Sequence, residues 1–311
     1  MLAIAAVTVP YFALILCGYL ARGLKIMDGG APKALNQFVL YFALPALLIR
    51  TLGAIDLGVI FNPGFASVWA IATIGLFLVV LIGARLLGKN GREAAIFASG
   101  SAHGNIGYLG LTLVIGLLGA KVTPLVSMAI ILDMTIIVPA TFAIIQFSGS
   151  GDVGLGRALL QSLRAAAFNP FMVAILTGLA VSSSGIQITG PLDDFLRVLG
   201  MAAVPAALFA IGVTLYGQPM RKLGGELGAI ALIKLMLHPI IVLFVATTPA
   251  FGLTREEMVV AVLLSALPVA NNIFVIATRY DVRPGLASTA IFMTTTLAIV
   301  SFNLWAGLLL T

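Results

Sequence analysis

Ser265-Ala266-Leu267-Pro268-Val269-Ala270-Asn271-Asn272-Ile273-Phe274 lies in the middle of an apolar run of bilayer-crossing length, and no straight helix passes through it. Pro268 removes a backbone donor, and its ring clashes with the preceding turn. A second run is interrupted too: Phe97-Ala98-Ser99-Gly100-Ser101-Ala102-His103-Gly104-Asn105-Ile106-Gly107-Tyr108-Leu109-Gly110 places glycines, serines, a histidine and an asparagine at mid-span. Both runs open with Arg-Glu, at Arg92-Glu93 and Arg255-Glu256, and both reach Asn-Ile, at Asn105-Ile106 and Asn272-Ile273.

The two runs hold corresponding places in a chain that repeats itself at an offset of 160 residues: Pro10 answers Pro170, Gly18 answers Gly178, Pro45 answers Pro205 and Pro124 answers Pro284. Near the two breaks the local offset drifts to 163 and then 167. Each repeat, 1–150 and 151–311, contains five apolar runs. An odd number of spans turns the second copy upside down in the membrane. The expected fold is therefore an all-α integral membrane protein, with ten transmembrane helices in a 5+5 inverted repeat and helices four and nine broken. Secondary transporters are built this way, with sites near the midplane where helices are interrupted.

Composition agrees. The chain is 61% hydrophobic and 9% charged, with mean hydropathy +1.15, against about 25% charged in soluble domains. That apolar surplus must face lipid, where spanning backbone is helix or closed barrel, and runs near 20 residues are helix length. Spans are expected at 6–21, 34–54, 64–87, 93–118, 123–147, 164–182, 194–217, 226–248, 256–278 and 285–310, with 148–163 joining the halves. The first run has no basic leader and ends at Arg22 without a cleavage site, so it reads as a retained span. Cys17 is the lone cysteine, and no Cys/His cluster offers a metal site. No cofactor is expected.

The net charge of +6 does not indicate nucleic acid, because the basic residues occupy short loops. One set of loops holds Arg22, Lys25, Lys33, Arg85, Lys89, Arg92, Arg157, Arg164, Arg221, Lys222, Arg279 and Arg283; the other holds Arg50, Lys121, Arg197 and Arg255. The richer side is expected to be cytoplasmic, with both termini outside.

A break at mid-membrane leaves helix ends without intrahelical partners. The second half-helices present N–H groups and a positive dipole end suited to an anion. Asn105 and Asn272 are residue types that cap such ends and also donate to a ligand. The first half-helices present carbonyls, suited to a cation or a proton-bearing group.

At these residues the chain resembles the auxin efflux carrier family in its compact bacterial form. The pattern runs through Leu35-Asn36, Leu44-Pro45-Ala46-Leu47, Gly104-Asn105-Ile106-Gly107-Tyr108-Leu109-Gly110, and Ala266-Leu267-Pro268-Val269-Ala270-Asn271-Asn272 followed by Tyr280. The resemblance implies crossed, unwound helices four and nine. It implies a scaffold of helices one, two, six and seven, a transport domain of helices three to five and eight to ten that moves like an elevator, and a homodimer in the bacterial inner membrane. It also implies small organic anions as substrates, bound at the crossover by Gly104, Asn105, Gly107, Tyr108, Pro268, Asn271 and Asn272. Relatives usually carry a proline shortly after the span-four motif. Leu111 stands here instead, so that break rests on Gly104, Gly107 and Gly110.

Polar groups at membrane depth are costly and often functional. Asp133 in span five is a candidate protonation or cation-linked site, or else a structural partner of broken backbone. His103 abuts the span-four break and either senses pH or satisfies a loose carbonyl. Lys234 and His238 share a face of span eight; Lys234 either attracts an anion or snorkels to the interface. Thr294, Thr295 and Thr296 either line the site or back-bond within span ten. The favoured reading is a secondary transporter of small carboxylates. The alternatives are a Na⁺- or H⁺-coupled symporter or antiporter of the same fold, and an intramembrane receptor. No nucleotide-binding motif and no nucleophile–base or metal constellation supports an enzyme.

Overall fold

The computed structural model describes residues 2–28, 30–54, 62–148, 170–217 and 224–310, with 156, 157, 160, 164, 167 and 168 between them. Most of the expected 148–163 joining stretch, and Arg221 and Lys222, lie outside the described residues.

Described residues form helices and no strands. In chain order they are α1 (Leu2–Gly23), α2 (31–53), α3 (Pro63–Leu86), α4 (Gly91–Ala102), α5 (Ile106–Leu118), α6 (Ala120–Phe147), α7 (Pro170–Ser184), α8 (Pro191–Leu215), α9 (Gly225–Ala246), α10 (Arg255–Ser265), α11 (Asn272–Arg279) and α12 (Pro284–Leu310). Six of them (α2, α3, α6, α8, α9 and α12) are long and apolar enough to cross a membrane. Shorter apolar helices cover Ala13–Gly23, Ile106–Leu118 and Met172–Ser184. The expected fourth span is split into α4 and α5, and the ninth into α10 and α11.

Besides the π-helical stretch Ile106–Val114 that opens α5, three described helices widen into π turns, at Val39–Ala43, Asp133–Ile137 and Ile233–Leu237, and each of these runs directly into an X-Pro step: Leu44-Pro45, Val138-Pro139 and His238-Pro239. Proline cannot donate to the carbonyl four residues back and clashes with it, and a π turn moves that carbonyl aside. For Pro239 that carbonyl belongs to Leu235, and the Trp305 indole N–H donates to it at 3.0 Å. Sequence periodicity gives no sign of these turns.

The chain divides into two compact units. The first comprises Met1–Asn62, Gly107–Met128 and Phe168–Gln218. Its main contacts are reciprocal: α1 packs on α8, and α7 on α2. Both pairs close on glycine. A Cβ on Gly18 would stand 2.1 Å from the Phe209 carbonyl oxygen, and one on Gly212 would stand 1.9 Å from that of Ile15. A Cβ on Gly178 would meet Leu52 Cβ at 2.9 Å and the Leu48 oxygen at 3.1 Å. Small residues at helix contacts let backbones approach where lipid supplies no hydrophobic drive. Arg50 donates twice to Asp193, at 2.6 and 3.2 Å. This pair borders a cavity of about 840 Å³ that Lys121, Ser182, Gln187 and Thr189 also line.

The second unit comprises Pro63–Ile106, Ala129–Ala167 and Pro219–Thr311. Leu76, Phe77 and Val80 of α3, Ala98 and Ala102 of α4 and Ile137 of α6 form a buried cluster. Leu78, Val79, Ile82 and Leu86 on α3, and Leu232, Leu237, Ile240 and Phe244 on α9, are exposed and apolar. Such faces suit a lipid surround. At one end, Glu226 takes hydrogen bonds from Lys89 and Arg283, Arg283 reaches Glu93 at 3.4 Å, and Arg92 donates to the Tyr280 carbonyl. The two first half-helices start alike. Asn90 accepts from the Glu93 N–H to cap α4, and Thr254 with Glu257 forms a capping box on α10.

Candidate functional site

Within the second unit the two breaks cross. Gly104 and Val269 form an isolated antiparallel bridge. The Asn105 N–H donates to the Pro268 carbonyl at 2.9 Å, and the Ala270 N–H donates to the His103 carbonyl at 3.2 Å. The Val269 N–H is taken by the Thr294 hydroxyl at 3.1 Å. Helices that stop at mid-span thus satisfy open backbone groups on each other and on neighbouring side chains, as backbone away from water must. α10 ends at Ser265, three residues before Pro268, as expected where proline forbids helical backbone just ahead of it. The break in span four is narrower and centres on His103, Gly104 and Asn105. Space at the bridging position is tight: a Cβ on Gly104 would come within 3.3 Å of Lys234 Nζ and 3.4 Å of the Leu264 oxygen.

A chain of side chains lies on one side of the crossing. The Trp69 indole N–H donates to Asp133 Oδ1 at 2.9 Å. The other carboxylate oxygen is 2.8 Å from His103 Nδ1. His103 Nε2 is 3.0 Å from the Asn272 amide nitrogen. The pattern sets the tautomer: a ring that donates from Nδ1 to a carboxylate accepts at Nε2, so Asn272 donates. The Asn272 amide oxygen is buried and has no partner among the described residues. Asp133 and His103 are buried at 1% and 3% exposure.

A second chain lies on α9. Lys234 is fully buried, donates to the Ser265 carbonyl at 2.5 Å and stands 3.1 Å from His238 Nδ1. His238 Nε2 is 3.2 Å from the Thr73 hydroxyl. Snorkelling is therefore not what Lys234 does. Asp133 binds ring N–H groups and not loose backbone, and the His103 ring bridges two side chains instead of serving a carbonyl. Asn272 holds a histidine with its amide and does not cap α11.

Of the residues picked out from sequence, the crossing unit gathers His103, Gly104, Asn105, Asp133, Lys234, Pro268, Asn271 and Asn272. Asn105 and Pro268 are buried, and Asn271 and Asn272 are half-buried. Gly107 and Tyr108, both half-buried, belong to the first unit, where they lie in the π-helical stretch Ile106–Val114 of α5. Thr294 serves the break, while Thr296 is exposed and back-bonds to Phe292. Trp69, Thr73 and Ser265 were not picked out. Trp69 had a signal, since an indole N–H deep in an apolar span needs an acceptor. No metal-binding cluster occurs among the described residues.

Comparison with known proteins adds a line of evidence independent of geometry. A family described as membrane transport protein matches residues 3–153 and 155–306. A Rhizobium meliloti protein named for malonate transport is 31% identical over 96% of this chain and 93% of its own. An uncharacterized transporter of Escherichia coli, YfdV, is 27% identical over 91% and 90%. An uncharacterized transporter of Methanothermobacter thermautotrophicus is 27% identical over 95% of each chain.

Proposed function

We propose, since the chain belongs to the auxin efflux carrier family of membrane transport proteins, that it is a secondary transporter of small organic anions, carboxylates foremost, whose substrate binds at the crossing of the two breaks. The chain is a multi-pass membrane transporter and not an enzyme. The observation that carries the site is the bridge between Gly104 and Val269, because it fixes two unwound segments beside buried polar side chains in an otherwise apolar unit. The N-terminal N–H groups of α11 favour an anion, Asn272 and Asn105 add amides, and the Lys234 ammonium lies close to Gly104. The name of the Rhizobium relative supports a dicarboxylate such as malonate as the substrate class.

In this reading helices one, two, six and seven of the expected ten-span inverted repeat, all within the first compact unit, serve as the scaffold. The second unit carries the substrate in an elevator-like movement, and the protein works as a homodimer with both termini outside. The clustering of Lys89, Arg92 and Arg283 at one end of the second unit supports that sidedness.

The test is carboxylate flux into proteoliposomes, for a panel including malonate and indole-3-acetate, with wild type beside Asn272→Ala. Losing a buried amide that holds His103 and faces a charged ligand is expected to lower flux by roughly 10- to 100-fold in a variant that still folds. Wild-type flux of a carboxylate with an unimpaired Asn272→Ala would move the site elsewhere, and no flux of any anion would end the carboxylate reading.

A second reading, coupling to protons, is favoured by the buried Asp133–His103 pair. It expects Asp133→Asn to abolish the pH dependence of flux. An unchanged pH profile in that variant removes Asp133 from coupling.

A further inference from the structure

The carbonyl end of α10 is already occupied. Ser265 closes the helix, and the N–H that would return to its carbonyl, that of Val269, is taken by Thr294. The Ser265 oxygen accepts instead from Lys234 Nζ. In broken-helix transporters such an end, with its negative dipole and unpaired carbonyls, is where a coupling cation sits. Here a buried side-chain amine stands at that end.

The surroundings of Lys234 are built for it. It is fully buried on the π turn Ile233–Leu237 of α9. It also stands 3.1 Å from His238 Nδ1; an ammonium can only donate there, which leaves the ring N–H on Nε2, 3.2 Å from the Thr73 hydroxyl. Among the described residues no carboxylate lies within ion-pair distance of Nζ. Asp133, on α6, is taken up by Trp69 and His103. An ammonium has three N–H groups. Two have these partners, and Nζ stands 3.3 Å from where a Cβ on Gly104 would be, at the crossing itself.

We infer that Lys234 is a tethered cation: its ammonium fills the place a sodium ion takes at the broken end of a cation-coupled carrier, so that this chain handles its anion without sodium. The inference rests on the anion reading above only for the charge that Lys234 would neutralise. A sodium ion within about 4 Å of that ammonium would bind roughly a thousandfold more weakly than at an uncharged carbonyl end. Removing the amine reopens the place to a free cation.

The experiment compares wild type with Lys234→Ala, and with Lys234→Met as the variant that keeps the side chain's length. The first readout is Tm in detergent with sodium chloride against choline chloride at equal ionic strength. The second is malonate flux in the same salts, with ethylammonium added as a free replacement for the lost amine. Wild type should be indifferent to the exchange in both readouts. Lys234→Ala should gain a sodium-specific rise in Tm, and its flux should recover by at least about tenfold with sodium or ethylammonium. A wild type stabilised by sodium or dependent on it overturns the inference, and so does a Lys234→Ala protein that responds to neither cation. If neither variant folds, wild-type indifference to sodium supports the inference and wild-type dependence overturns it. The Tm readout needs no substrate, so it stands or falls apart from the carboxylate assignment.

Discussion

His103→Ala is expected to cost the second unit about 2–4 kcal/mol, because it takes a hydrogen bond from a buried carboxylate and leaves a buried amide without its acceptor. Asp133 would keep only the Trp69 N–H, and the Asn272 amide would lose its acceptor. For a chain of this size that is a fall in Tm on the order of 10 °C. The double variant His103→Ala with Asp133→Leu takes away the stranded carboxylate as well. It should regain most of the lost stability, because replacing both partners of a buried hydrogen bond by apolar groups can be nearly neutral. Transport should not return, since Asn272 still lacks its holder. Thermal melts of the single and double variants, read beside flux, separate the two effects. An unchanged Tm in the single variant would sink the claim that Asp133 depends on His103.

Gly212→Ala is the second large effect, and it falls on the first unit. The new methyl would lie 1.9 Å from the Ile15 carbonyl oxygen and 2.8 Å from Tyr19 N. Both are backbone atoms inside α1, so no rotamer change relieves the clash and α1 must part from α8. The expected loss is roughly 3 kcal/mol or more, at the top of the range for overpacking. Gly75→Ala in α3 is the control, because a Cβ there meets nothing within 4 Å. That substitution should be neutral, or gain a few tenths of a kcal/mol from helix propensity. Equal melting of Gly212→Ala and wild type would mean the close approach of the two helices is wrong.

Much of the site was legible because its signals are local. Pro268 and the glycines at positions 100–110 interrupt apolar runs, and Asn105 and Asn272 stand just past the interruptions, so the breaks could be placed from the chain alone. Asp133 and His103 stood out because charge is rare at membrane depth. The pairing of Asp133 with His103, and of both with Trp69 and Asn272, was not legible, because these residues lie on three helices and the span-four break, and only the crossing brings them together. Lys234 shows the limit most plainly. Its neighbours in sequence allow either an interfacial or a buried amine, and the choice is made by Ser265, 31 residues away. The π turns before Pro45, Pro139 and Pro239 were invisible as well, since periodicity is read over many residues and a π turn adds only one.

A ribosome that has finished residues 1–150 has released a chain whose helices still lack their neighbours. The groove that Gly18 opens on α1 waits for Phe209 of α8, and α2 waits for Gly178 of α7. The His103 carbonyl waits for the Ala270 N–H, an amide not yet synthesised. Assembly is therefore back-loaded: the early helices must be sheltered during translation until their late partners arrive. A chain cut short at the midpoint lacks the partners its helices pack on and is not half of a carrier.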